Sequence, residues 1–213
     1  MTTPAVFALV LAAVFAVADW VAVARGRQRL EYFAKPATLA ALIGVALLLD
    51  PADPTQRAWW VAALAFSLAG DVFLMLEGRF VAGLASFLVG HLAYIAGFWL
   101  GPVAGTGPVE LAVALLVPGI AAAALGPRIL AGARAHDARL TLPVANYLAV
   151  IGAMVGSALL TRQPLAIAGA LLFFASDAMI GWRNFVERKT WQDLAIITTY
   201  HIGQSLLVLS LVS

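Results

Sequence analysis

Long apolar stretches alternate with short polar or helix-breaking punctuation along the whole chain. A helix needs roughly 20 mostly apolar residues to cross a bilayer core. Eight stretches qualify, near Pro4–Ala24, Ala34–Leu49, Ala58–Leu76, Phe80–Leu100, Val109–Leu125, Leu140–Leu160, Pro164–Trp182 and Asp193–Val212. The punctuation is Arg25-Gly26-Arg27-Gln28-Arg29, Asp50-Pro51-Ala52-Asp53-Pro54, Glu77-Gly78-Arg79, Gly101-Pro102 to Gly107-Pro108, Gly126-Pro127, Thr161-Arg162-Gln163-Pro164 and Arg183 to Asp193. These are turn and breaker signals. The pattern predicts an all-α polytopic membrane protein, a single eight-helix transmembrane domain over residues 1–213. The first apolar run lacks a basic leader and is too long for a signal peptide, so it reads as the first span.

Composition agrees with that reading. Of 213 residues, 63% are hydrophobic and 11% charged, against about 25% charged in a soluble domain. With no cysteine, disulfides, thiolate chemistry and cysteine-ligated metals are excluded. A net charge of +2 gives no case for nucleic acid. Arg outnumbers Lys eleven to two, and with the many Ala and Gly residues this suggests a GC-rich bacterial gene. The expected location is therefore the bacterial cytoplasmic (inner) membrane. Arg25, Arg27, Arg29, Lys35, Arg79, Arg128, Arg134, Arg139, Arg183, Arg188 and Lys189 fall in odd-numbered loops; only Arg57 and Arg162 fall in even ones. The positive-inside rule puts the odd loops in the cytoplasm and both termini on the non-cytoplasmic side.

Topology then gives depth to the polar residues within the spans. Asp71 stands in the apolar run Ser67-Leu68-Ala69-Gly70-Asp71-Val72-Phe73, and Phe174-Ala175-Ser176-Asp177-Ala178 repeats the arrangement 106 residues later. An Asp at the bilayer centre costs about 2.5–3.5 kcal/mol on insertion scales. A lone Asp could be structural, capping a broken helix or bonding a neighbour. The matched pair is read as catalytic, each member about five residues, or ~8 Å, inside the cytoplasmic end of its helix. Asp19 lies equally deep, beside Trp20, where it could simply be wetted. Lys35-Pro36 opens the second span, with Lys35 either a snorkelling anchor or a cation for a lipid phosphate. Asn146, Tyr147, Tyr200, His201 and Gln204 lie two to three turns in from the same side, with His91 and Tyr94 near the middle of the fourth span. The outer half is Ala, Leu, Val and Gly, with Glu110 solvated at its lip.

Pro36 and Pro143 are offset by 107 residues, and His91 and His201 by 110. These offsets suggest a four-plus-four parallel internal repeat. Gly152-x-x-x-Gly156 suits close helix packing. A zinc site needs about three protein ligands, and only two His lie in the spans, so the expectation is no metal and no cofactor. A zinc-dependent transmembrane lipid hydrolase using His91, His201 and a carboxylate stays an alternative. A small transporter coupling protons through the Asp pair, or a lipid-binding protein, is another.

Taken together the motifs resemble the YhhN family, relatives of the eukaryotic transmembrane lysoplasmalogenases. The resemblance rests on Tyr32-Phe33-Ala34-Lys35-Pro36, Gly70-Asp71-x-x-Leu74, Gly90-His91-x-x-Tyr94, Pro143-x-x-x-Tyr147, Ser176-Asp177 and Tyr200-x-x-x-Gln204. It implies hydrolysis of the vinyl ether of a lysoplasmalogen, giving a fatty aldehyde and glycerophosphoethanolamine or glycerophosphocholine. That chemistry suits the residues. Protonating the alkene carbon gives an oxocarbenium ion, and two acids can serve such a state without metal, as in glycoside hydrolysis. The expectation is that one of Asp71 and Asp177 is the acid while the other stabilises the cation or activates water. Tyr200, His201 and Gln204 would orient water or glycerol oxygens and Lys35 would meet the phosphate. His91, Tyr94, Asn146, Tyr147 and Asp19 complete the expected substrate-binding set. The substrate, a lysophospholipid, would enter from the cytoplasmic leaflet with its alkyl chain in the apolar outer half.

Overall fold

The computed structural model describes residues 1–100 and 106–212. Among them are eight helices long and apolar enough to cross a membrane. They are α1 (Thr3–Ala24), α2 (Gln28–Leu48), α3 (Pro54–Met75), α4 (Phe80–Leu100), α5 (Pro108–His136), α6 (Thr141–Thr161), α7 (Pro164–Phe185) and α8 (Gln192–Leu209). Short 3-10 turns at Ala138–Leu140 and Ser210–Val212 flank α6 and end α8. The breaker dipeptides work as helix starts. Asp53 caps α3, its carboxylate accepting the Thr55 N–H at 2.7 Å, and Pro54, Pro108 and Pro164 stand in first turns, where a missing N–H costs nothing. Gly101-Pro102 lies outside the described residues.

Two boundaries differ from the sequence expectation. Gly126-Pro127 does not end α5, which continues to His136 with Pro118 and Pro127 inside it. A proline removes only one backbone bond, and transmembrane helices tolerate that where neighbours re-satisfy the freed carbonyl. Lys35-Pro36 does not open α2 but sits two turns inside it, because the helix begins at Gln28. Its first two turns carry Arg29, Glu31 and Lys35, so a hydropathy criterion misses them.

Successive helices pack as hairpins, α1 on α2, α3 on α4, α5 on α6 and α7 on α8; α4 meets α6, and α8 closes the bundle against α1 and α2. Small residues let the axes approach. An added Cβ at Gly169 would lie 2.8 Å from the Gly203 carbonyl, and one at Gly156 2.7 Å from the Ala114 carbonyl. The second contact bears out the reading of Gly152-x-x-x-Gly156, as does Gly152 facing Pro118. The core is filled by Trp60, with Tyr94 and Phe98 edge-on to it at 5.3 and 5.0 Å, and the Trp60 indole donates to the Leu207 carbonyl at 2.5 Å. All three rings are buried. Phe7, Val10 and Val14 of α1 and Leu115, Leu116 and Ile120 of α5 face outward, as lipid contact requires.

Candidate functional site

α3 and α7 bring Asp71 and Asp177 to one cavity of about 640 Å³. Its mouth is framed by Gly26, Gln28, Glu77, Asn184 and Arg188, which belong to the ends and connections of α1–α2, α3–α4 and α7–α8. Its floor holds the two carboxylates, Tyr200, Ser176 and Phe87. The Asp pair of the sequence reading is thus assembled in space, at the base of a polar well opening on the Arg-rich face.

Each acid has its own support. The Tyr200 hydroxyl donates to Asp71 Oδ2 at 2.9 Å. The Tyr147 hydroxyl donates to Asp177 Oδ2 at 2.5 Å, and His91 Nε2 stands 3.1 Å from the same oxygen and 3.0 Å from the Tyr147 hydroxyl. Phe173 lies between the two sets, its ring 4.7 Å from that of His91 and 5.2 Å from that of Tyr200. A buried wedge of this kind fixes the rotamers on both sides at once. Close approach of the backbones makes room for it: a Cβ at Gly70 would lie 2.6 Å from the Phe87 ring, and one at Gly203 3.0 Å from the Phe173 nitrogen.

The walls carry charge. Lys35 lines the cavity and pairs with Glu31 at 2.9 Å, an i,i+4 contact on α2. Opposite it, Asp193 takes Arg183 at 2.5 Å and Arg188 at 2.8 Å, leaving that cluster one positive charge in excess. Tyr32 crosses from α2 to donate to the Met75 carbonyl at 2.9 Å.

Other expected members go elsewhere. Of Tyr200, His201 and Gln204, the first and last share one face of α8, as i,i+4 residues do: Tyr200 donates to Asp71 and Gln204 accepts from the Tyr94 hydroxyl at 2.5 Å, whereas His201, about 100° round from Tyr200, turns to α1. There its Nε2 is 3.8 Å from Asp19 Oδ2, and the Trp20 ring stacks on it at 6.5 Å. Neither Asp19 oxygen and neither His201 nitrogen has a hydrogen-bond partner, and both residues are buried. Asp19, His201, Tyr94 and Gln204 form the packing behind the well and are not among its lining residues. Asn146 is exposed; it precedes Tyr147 on α6, and the same 100° turns it outward. His91 and His201 serve different carboxylates, and among the described residues no three His, Asp or Glu side chains converge on a metal-sized site. Glu110, read as solvated, pairs with Arg162.

Sequence reasoning missed Glu31, Arg183, Arg188 and Asp193. The Glu31–Lys35 spacing was a readable signal, whereas the Arg183–Asp193 pair spans a connection of no fixed geometry.

Comparison with known proteins follows the same lines. The chain matches the YhhN family over residues 30–211. It is 33% identical over 148 residues to human lysoplasmalogenase TMEM86B, covering 70% of this chain and 61% of that protein. It is 34% identical over 155 residues to the lysoplasmalogenase of Mycobacterium bovis, covering 70% and 58%. Against human lysoplasmalogenase TMEM86A the identity is 35% over 162 residues, covering 70% and 63%. The chain therefore spans less than two thirds of the length of these relatives. No solved structure matches it. With a family match that runs from the first turn of α2 to the end of the bundle, the chain belongs to the YhhN family.

Proposed function

We propose that the protein is a lysoplasmalogenase-type hydrolase, splitting the vinyl ether of a lysophospholipid into a fatty aldehyde and a glycerophospho-base. One observation carries the reading: Asp177 lies where the polar well meets a narrow apolar slot. Leu74, Phe87, Asp177 and Ile180 line both spaces. In a lysoplasmalogen the vinyl ether is likewise the joint between a polar headgroup and an alkyl chain.

Hydrogen bonding divides the roles. Asp177 Oδ2, facing two donors, is arranged as an acceptor; it takes a proton from water and faces the developing cation. Asp71, held by Tyr200 alone, delivers its proton to the alkene carbon next to the chain. The C–H bond forms as the C=C pair moves to it and the ether carbon becomes an oxocarbenium ion. Water adds to that carbon, its proton passing to Asp177. The hemiacetal then breaks its C–O bond to the glycerol as its hydroxyl proton passes through water to the leaving oxygen, giving aldehyde and a free hydroxyl. The proton on Asp177 returns to Asp71 through water in the shared well. Arg183, Arg188 and Lys35 offer cations for the phosphate, and Glu31 and Glu77 offer anions for the ammonium. Asp19, His201, Tyr94 and Gln204 support the floor.

The loop charges favour an orientation with the well opening to the cytoplasm of a bacterial cell, both termini outside, and substrate drawn from the facing leaflet. The repeat offsets keep a four-plus-four duplication in view. Asp71 is held from α8 and Asp177 from α4, so each acid is supported by the last helix of the other half.

The transporter alternative needs a path to the opposite face. Trp60, Tyr94 and Phe98 fill the core beyond the acids, which favours the enzyme. The deciding experiment incubates purified protein with lysoplasmalogen in deuterated water. Aldehyde carrying deuterium on carbon 2 is expected, together with loss of product in Asp71→Asn and Asp177→Asn. Full activity in either variant overturns the acid pair.

A further inference from the structure

The apolar outer half of the bundle is the obvious place for an alkyl chain, yet it is filled by Trp60, Tyr94 and Phe98. The apolar space that does reach the acids lies in the same half as the acids. It is a slot between α4, α6 and α7, closed on its outer side by Ile129 of α5. Its inner end is Asp177 and Tyr147, and its outer end is Phe80 and Phe185, edge to face at 5.8 Å. Beyond that pair an open surface groove of about 450 Å³ continues past Val81 and Leu140, lined also by His136, Arg183 and Asn184 at the helix ends. The slot itself measures about 40 Å³, little more than one group of water size at ~30 Å³ each.

We propose that this slot seats the first methylenes of the chain beside the vinyl ether, the rest leaving between Phe80 and Phe185 into the open surface groove. The inference rests on the lysoplasmalogenase reading for the identity of the chain. It has a specific consequence: the protein grips the chain near its reacting end and does not measure its length. The gauge is Gly181 of α7. A Cβ there would stand 3.3 Å from Ile129 Cδ1 and 3.4 Å from Ile129 Cγ2, so any larger side chain is pressed into the slot or forces Ile129 aside.

The test uses the full-length protein in detergent micelles with two probes. One is a 1-O-alkyl lysophosphoethanolamine, whose saturated ether this chemistry does not cleave; the other is glycerophosphoethanolamine, which has no chain. Binding of each is measured by calorimetry, and vinyl ether hydrolysis is followed in parallel. Gly181→Val is expected to weaken alkyl-probe binding by about tenfold or more, the effect of one or two misplaced methylenes in a pocket, with headgroup-probe binding unchanged. Adding Ile129→Ala to Gly181→Val restores alkyl binding, which a merely misfolded variant would not do. Probes of different chain length are expected to bind wild type within about threefold of one another, since in detergent the groups beyond the slot lie in an open groove and stay in contact with the micelle. Unchanged alkyl binding in Gly181→Val, equal loss for both probes, or failure of the second substitution to restore it overturns the slot. If wild type binds the alkyl probe and responds to Gly181→Val but releases no aldehyde, the slot stands and the hydrolase reading falls.

Discussion

Tyr147 and Asp177, on neighbouring helices, share a 2.5 Å hydrogen bond in which the phenol donates to the carboxylate, and His91 meets the same oxygen at 3.1 Å. A donor to a charged acceptor is worth about 1.5–3 kcal/mol. Tyr147→Phe removes one of two donors and leaves the ring in place. The expected result is a kcat lower by about 10- to 100-fold, with KM changed little. Steady-state aldehyde release checks it. His91→Gln is expected to cost a similar amount and the double variant less than the sum, because the two donors serve one oxygen.

Asp19 gives the opposite expectation. It is buried, and the ring nitrogen of His201, 3.8 Å away, is outside hydrogen-bond range. It does not line the well. Removing a buried carboxylate that has no bond to lose is neutral or stabilising. Asp19→Asn is expected to keep aldehyde release within about threefold of wild type, or ~0.6 kcal/mol, with an unchanged or raised Tm. A hundredfold loss of activity would return Asp19 to the catalytic set.

Arg183 and Arg188 share Asp193, so one cationic charge at the mouth is left for an anion. Arg183→Gln is expected to raise KM for a phosphate-bearing substrate several-fold, about 1 kcal/mol, and to leave kcat nearly unchanged. Higher salt should shrink the wild-type advantage, since exposed charges are screened.

Gly169 and Gly203 set the α7–α8 distance, and through it the placing of Asp177 against Tyr200. A Cβ at Gly203 would lie 3.0 Å from the Gly169 carbonyl and 3.0 Å from the Phe173 nitrogen. Gly203→Val should destabilise the protein by about 1–3 kcal/mol, read as a lower Tm in detergent. Gly44, which faces open space, accepts alanine without that loss.

The absence of cysteine makes the orientation easy to measure. Glu77→Cys is expected to react with a membrane-impermeant maleimide only from the cytoplasmic side, and Asp50→Cys only from the other.

The frame of this protein is legible in its sequence because lipid imposes a strict rule: every backbone group must be bonded within a helix, over a fixed length. All eight spans follow from it, and the loop charges assign Asp71 and Asp177 a common depth, but only the packing of the helices brings the two to one cavity. What the pattern hides is rotation and continuation. Helical periodicity in an all-apolar span does not say which side faces the centre, so Asn146 and Tyr147 looked alike, and His201 could not be told from Tyr200. Hydropathy likewise loses the charged first turns of α2, although Glu31 and Lys35 belong to the helix and to the wall of the well. The partition of Asp71 to Tyr200 and of Asp177 to Tyr147 depends on contacts between residues 129 and 30 positions apart, which no local signal encodes.

The wall of Trp60, Tyr94 and Phe98 has a physiological consequence. A water-filled well that reaches partway into a membrane thins the barrier to ions at that point, and a lining of carboxylates would invite protons through. Packed aromatic rings fill the core beyond the acids, the Trp60 indole donating to the Leu207 carbonyl and the Tyr94 hydroxyl to Gln204. An aromatic plug of this kind would let an energised membrane hold its ion gradient while a polar well opens on one of its faces.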